Sequence, residues 1–249
     1  MKTKLLTAFD KLPKQEQAIL MVLSVVYAPI DQTNLRNLII KLVSFEPTTS
    51  GLVDNLLKIK LQKINLLQVS SDGWICPADI AEALMRRAVA EPWFKKLAQL
   101  LIDHNDYYPS HRVAASHVAK QMRLFLYQGN ELGFIANTDD LYTTFPAYFA
   151  EHINRIFFTD FDADWFAALP EQIKYGALKY QIATNCRQFC DISVPYQLFE
   201  QFFGASKSAV PEIVHAVIEQ RLWRGNFQDA ELWLDGDRKS TRLNSSHFH

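Results

Sequence analysis

The sequence predicts a mainly α fold: an N-terminal winged helix-turn-helix with a small β-hairpin wing, followed by a repeat-like array of antiparallel α-hairpins. Three observations carry this. Residues 1–90 order themselves as three short helical patterns and then a tight hairpin; that hairpin has an Asp-Gly turn between apolar runs; and residues beyond 90 run as successive helical patterns separated by short turns. The hairpin is the sharpest signal. LLQV (Leu66 to Val69) and WIC (Trp74 to Cys76) flank Ser71, Asp72 and Gly73, and Asp-Gly between apolar runs favours a tight turn because glycine takes positive φ without steric cost.

The helices before the hairpin show start and stop signals. Asp10 is expected to cap a helix opening near Pro13, with Ile19, Leu20, Leu23, Val26 and Tyr27 at helical spacing and Pro29 ending it. Asp31 is placed to cap a second helix carrying Leu35, Leu38, Ile39 and Leu42. Thr49 or Ser50 is expected to cap a third, with Leu52, Val53, Leu56, Leu57 and Ile64 inward and Asn65 in the left-handed position that ends it.

In a DNA-binding module of this kind the third helix is the recognition helix. Its outward positions are expected to be Ser50, Asp54, Asn55, Lys58 and Gln62, with Lys60 and Lys63 toward the packed side. Adding Arg36 on the second helix and Trp74 in the wing gives the candidate DNA-binding set Arg36, Ser50, Asn55, Lys58, Gln62 and Trp74. That surface is polar but barely basic. Residues 1–90 hold eleven Lys plus Arg against eight Asp plus Glu, a net of +3, whereas DNA affinity comes largely from neutralised phosphates. Contact with double-stranded DNA and docking on a protein therefore both remain open for residues 1–90.

Beyond residue 90 helical patterns run over 92–103, 112–128, 145–158, 164–169, 171–189, 195–203 and 210–233, separated by turns such as GNELG and PEQ. Residues 91–236 carry twelve Lys plus Arg against eighteen Asp plus Glu, a net of −6, which suits protein contact better than nucleic acid. The best repeat-like signal is RLWRGNFQDAELWL (Arg221 to Leu234), where Gly225 permits a tight turn and Ala230 a close helix approach, as in tetratricopeptide-like hairpins. No second copy stands at a 34-residue period. The aromatics Trp165, Phe166, Phe202, Phe203, Trp223 and Trp233 are read as inter-helix packing.

Several patterns that suggest chemistry resolve into structure. Cys186 and Cys190 lie four apart without a second ligand pair, so they read as small buried hydrophobes. His104, His111 and His117 flank NDYYPS with no nucleophile or carboxylate at a telling spacing. Asp160, Asp162 and Asp164 alternate like a calcium loop but lack its glycine and terminal glutamate; a capped helix start before Trp165 explains them better. The chain shows no Walker loop, GxGxxG, GxSxG or HExxH, so no catalytic residue, metal or cofactor is expected in it. It has no run of eighteen uncharged apolar residues and no signal-peptide core, and its three cysteines suit a reducing compartment, so a cytoplasmic chain with no membrane partner is expected. Residues 237–249, polar and patternless, read as a foreign or disordered tail, translated adapter or vector sequence, so the natural frame is expected to continue past 236. The expected division is thus 1–90, 91–236 and 237–249.

The segments LPKQEQAILMVLSVVYAPIDQTNLRNLI, QVSSDGWICPADIAEAL and WRGNFQDAELWL resemble the non-catalytic N-terminal region of bacterial Swi/Snf-type DEAD/DEAH-box helicases. The resemblance covers residues 1–236 by pattern and not by invariant residues. It implies an accessory, DNA- and partner-contacting region of an ATP-dependent DNA translocase whose ATPase motor lies downstream. The phosphate loop and DEAH box of that family are absent here, so the resemblance assigns no catalytic residue. A winged-helix transcriptional regulator with helical repeats, and a protein-interaction scaffold, are the other two expectations.

Overall fold

A computed structural model describes residues 2–42, 49–103, 111–159, 161–188, 190–207, 211–228 and 230–231. It is mainly helical with one small two-stranded antiparallel sheet. The chain forms two compact units, 1–149 and 150–249. The break suggested at residue 90 by composition falls inside the first unit.

In the first unit α1 (Lys2–Asp10) precedes α2 (Lys14–Val26), α3 (Gln32–Lys41) and α4 (Asn55–Lys63). Next come β1 (Gln68–Ser70) and β2 (Gly73–Ile75), then α5 (Ala78–Val89), α6 (Phe94–Asp103), α7 (His111–Gln128) and α8 (Glu131–Thr144). Helix α2 is the axis of the core: every residue from 19 to 27 is buried, because Ile19, Leu20, Met21, Val22, Leu23, Val25 and Val26 leave it no polar face. The amphipathic α5 packs on it through Ile80, Ala81, Leu84, Met85 and Ala88.

Several local expectations are met. The Asp31 carboxylate accepts from the Asn34 amide at 2.9 Å, which holds its carboxyl below the usual range. Asn65 sits at φ 58° after α4, with Leu66 N donating to Leu61 O at 2.9 Å. The hairpin pairs Gln68 with Ile75, Val69 with Trp74 and Ser70 with Gly73.

Others need correction. Asp10 does not cap α2; it ends α1, an element the sequence reading lacked, and its carboxylate takes Arg87 at 2.5 Å. The α2 N-terminus opens at Pro13 with no side-chain cap, and the Gln17 amide donates instead to Leu12 O at 2.9 Å. Thr49 and Ser50 do not cap α4. Residues Ser50–Leu52 form a short 3-10 turn, Asp54 is extended, and its carboxylate accepts from Leu57 N at 2.8 Å. Asp54→Ala should therefore cost about 1 kcal/mol, read as a lowered urea midpoint, whereas Thr49→Ser should leave the start of α4 unchanged. Residues 129–133 are not a bare turn: Asn130 caps α8 by accepting from Gly133 N at 2.9 Å. Helix α8 lies close along α7, and a Cβ at Gly133 would stand 2.7 Å from the Phe125 ring.

Helix α9 (Pro146–Ile153) begins before residue 150; in the second unit a π turn over Asn154–Phe158 continues it and is followed by α10 (Ala163–Ala168), α11 (Glu171–Arg187), α12 (Ser193–Lys207) and α13 (Pro211–Trp223). Asp162 caps α10 by accepting from Trp165 N at 3.0 Å, the capped start expected there; Asp160 lies outside the described residues. Phe166 is fully buried among Phe157, Phe158, Phe161 and Phe202, and Phe199 packs tilted against Phe203 with ring centroids 5.0 Å apart. Trp223, expected to pack, is 43% exposed, while Trp233 and the tail 237–249 lie outside the described residues. Gly225 takes φ 75°, and Ala230 packs on Val214 and Ile218, so the tight turn and close approach expected of that segment are present. No helix among the described residues is long and apolar enough to cross a membrane.

Candidate partner-contact surface

The surface built by α3, α4 and the hairpin starts from one carbonyl. Val53 O accepts from Gln32 Nε2 at 2.8 Å and from Arg36 Nε at 2.7 Å, so two side chains one turn apart on α3 fix the start of α4. Ile40 continues that α3 stripe and is 66% exposed. On α4 only Leu57 and Leu61 are buried, and the exposed arc is Asn55, Leu56, Ile59, Lys60, Gln62 and Lys63.

Each anticipated DNA-contact residue has a definite place here. Asn55 and Gln62 are exposed; Lys58 and Ser50 are half-buried. Arg36 is a half-buried tie to Val53 O, not an outward cation. Trp74 is removed from the set: it is 3% exposed, and its backbone exchanges hydrogen bonds with Ile30 at 2.8 and 3.0 Å. Lys60 and Lys63, expected inward, are exposed, and the Lys60 ammonium reaches both Glu16 carboxylate oxygens at 2.7 Å. Leu56, expected inward, is 77% exposed, and Ile59 is 48% exposed. The reason is the extended Asp54, which breaks the helical phase between Leu52 and Leu56. The resulting face mixes amides, lysines and bare aliphatic side chains.

The most buried polar group in the first unit lies elsewhere. The Arg123 guanidinium on α7 is fully buried; Nε donates to Glu82 Oε1 at 2.7 Å, and Nη1 to Ser24 O at 2.8 Å. Tyr127 OH donates to the other Glu82 oxygen at 3.0 Å, and the Arg123 guanidinium lies over the Tyr27 ring at 4.7 Å. Burial, the largest influence, pulls the Arg123 pKa down, but the facing Glu82 carboxylate together with the Tyr127 and Tyr27 phenols outweighs it and leaves the pKa raised. Burial first, and Glu82 second, push the Tyr127 phenol well above its ordinary range. The network is closed within the core and presents no group to a ligand.

The second unit has a cleft of about 250 Å³ lined by Tyr196, Gln220, Arg221, Arg224 and their neighbours. Two of its polar groups are used internally: Arg224 pairs with Asp191 at 2.9 Å, and Gln220 donates to Cys190 O at 2.9 Å. Cys186 is buried, with its Sγ 3.2 Å from Glu219 Oε2; burial, then that carboxylate, push the thiol up to about 12. Cys190, expected to be buried with it, is exposed beyond the end of α11. Iodoacetamide at pH 8 should therefore label Cys190 alone among the three cysteines of the native chain, and all three after unfolding; modification of native Cys186 in a peptide map would contradict this geometry.

His117 is buried in α7, whereas His104 and the His111 side chain lie outside the described residues. Among the described residues no group of three or more His, Cys, Asp or Glu is placed to hold a metal ion. Comparison with protein families, curated proteins and solved structures found no match to this chain.

Proposed function

We propose that this chain is a non-catalytic contact region whose first unit is a winged-helix-type module docking on a protein partner. In the light of the helicase resemblance, that partner is the ATPase motor of a DNA translocase. The winged-helix reading is supported by the Ile30–Trp74 bridge, which sets the residue between α2 and α3 against the hairpin as a third strand-like edge. The partner reading rests above all on Leu56, 77% exposed on the helix that would face a DNA groove. Burying leucine against phosphates strands both apolar and charged groups, whereas a protein surface accepts it.

Duplex DNA is the second reading, favoured by Asn55, Lys58 and Gln62 on or beside the same arc. A salt titration separates the two. The full chain should show no saturable binding to a labelled duplex in low salt. Saturable binding whose logarithmic salt slope approaches about −3, as neutralising about three phosphates requires, with Lys58→Glu weakening it, would replace protein docking by DNA contact.

A further inference from the structure

We infer that the occupant of the α3–α4 face is an acidic amphipathic helix, which seats apolar residues on Leu56 and Ile59 and sets carboxylates against the surrounding lysines. The inference rests on the protein-docking reading above and names the class of partner it requires.

Charge and shape carry it together. The spans Gln32–Lys41 and Asn55–Lys63 contain no carboxylate; they carry Lys41, Lys58, Lys60 and Lys63 beside Arg36, the inward tie to Val53 O. Among the described residues, the acids Asp31, Asp54 and Glu16 already have partners. Asp31 and Asp54 accept backbone amides at the N-termini of α3 and α4, and Glu16 is taken by Lys60. Lys41 and Lys63 are exposed and Lys58 is half-buried, so these three cationic groups lie where a ligand can meet them, while Lys60 is held by Glu16. Within this rim Leu56 and Ile59 stand one turn apart on α4, and Ile40 extends the stripe that Gln32 and Arg36 turn toward the start of α4. Two apolar anchors at helical spacing inside a basic rim match a helix with leucine-type residues at i and i+3 or i+4 flanked by Glu or Asp. A duplex would satisfy the lysines but leave Leu56 and Ile59 against phosphate or water; a purely apolar helix would satisfy the anchors and leave the lysines desolvated. An acidic amphipathic helix satisfies both sets.

The test uses the full chain and a fluorescein-labelled synthetic helix of about 18 residues, with leucines at i, i+3, i+4 and i+7 and glutamates elsewhere, beside a twin bearing lysine for every glutamate. The glutamate peptide should bind about tenfold or more tighter than its twin, and less tightly as salt rises. Leu56→Asp should weaken it about tenfold while leaving the circular dichroism spectrum unchanged, since that side chain is exposed. Ile59→Gln serves as the second variant should Leu56→Asp disturb the fold. Lys58→Glu with Lys63→Glu should weaken the glutamate peptide and strengthen the lysine twin. Equal binding of the two peptides, no binding of either, or binding indifferent to both apolar substitutions would overturn the inference. Duplex binding is measured in its own titration, so failure of the docking reading and failure of the acidic-helix inference are read separately.

Discussion

Arg123→Ala is expected to destabilise the first unit by about 3–5 kcal/mol, the cost of leaving a buried charge without its partner. The substitution takes from Glu82, 1% exposed, the cation it meets at 2.7 Å, and it removes the donor to Ser24 O. Arg123→Lys should recover little, because a single ammonium cannot supply the forked geometry that serves Glu82 and Ser24 O together. Replacing both charges, Glu82→Leu with Arg123→Met, should be far milder than either single change, since apolar side chains of similar volume need no partner. Urea unfolding of the full chain followed by tryptophan fluorescence reads all of these. A loss below about 1 kcal/mol for Arg123→Ala would mean that the pair is not buried in solution. The same network spans residue 90. It joins α2, α5 and α7, so a fragment ending at 90 keeps Glu82 and loses the cation that Glu82 was buried to meet.

Gly73→Ala is expected to cost about 2–5 kcal/mol, from backbone strain and overpacking together. Gly73 takes φ 137°, and a Cβ there would lie 2.3 Å from both the carbonyl carbon and oxygen of Ile30 and 2.7 Å from Asp31 N. These are backbone atoms, so relief requires moving the hairpin away from the α2–α3 connection and breaking the Ile30–Trp74 hydrogen bonds. Gly129→Ala is the matched control: its φ is also positive, at 71°, but nothing lies within 4 Å of the added carbon, so only about 1–2 kcal/mol of conformational cost is expected. A shift of Trp74 emission toward that of exposed indole should accompany Gly73→Ala and be absent from Gly129→Ala. Equal effects of the two substitutions would show that the close approach of hairpin and connection is not maintained.

What the sequence discloses here is local chemistry. Asp31, Asn65, Asp162, Gly225 and the Ser71–Gly73 turn each act within a few residues of themselves, so residue type and spacing suffice to place them. The misplacements share another cause. Extending a helical or hairpin pattern predicts an inward Leu56 and an outward Trp74, but the extended Asp54 breaks the phase of α4, and Ile30, from another part of the chain, pairs with Trp74. Glu82 and Arg123, 41 positions apart in different helices, carry no local pattern that pairs them. Both would ordinarily be assigned to solvent, and a reading of periodicity has no reason to bury either. Helix α8 escaped because Gly133 reads as a turn residue, when its missing side chain is what lets α8 approach Phe125.

The two donors converging on the Val53 carbonyl also bear on how a charge scan of this surface must be interpreted. Arg36 is a cation on the helix beside α4, so loss of ligand binding in an Arg36 variant invites the conclusion that its charge touched the ligand. Yet removing it takes one of the two fastenings from the residue just before the α4 cap, and the exposed arc of α4 would loosen whatever binds there. Charge-preserving Arg36→Lys and charge-removing Arg36→Gln should therefore impair binding alike, through slackened geometry, whereas Lys63→Gln should act through charge alone and lose its effect in high salt.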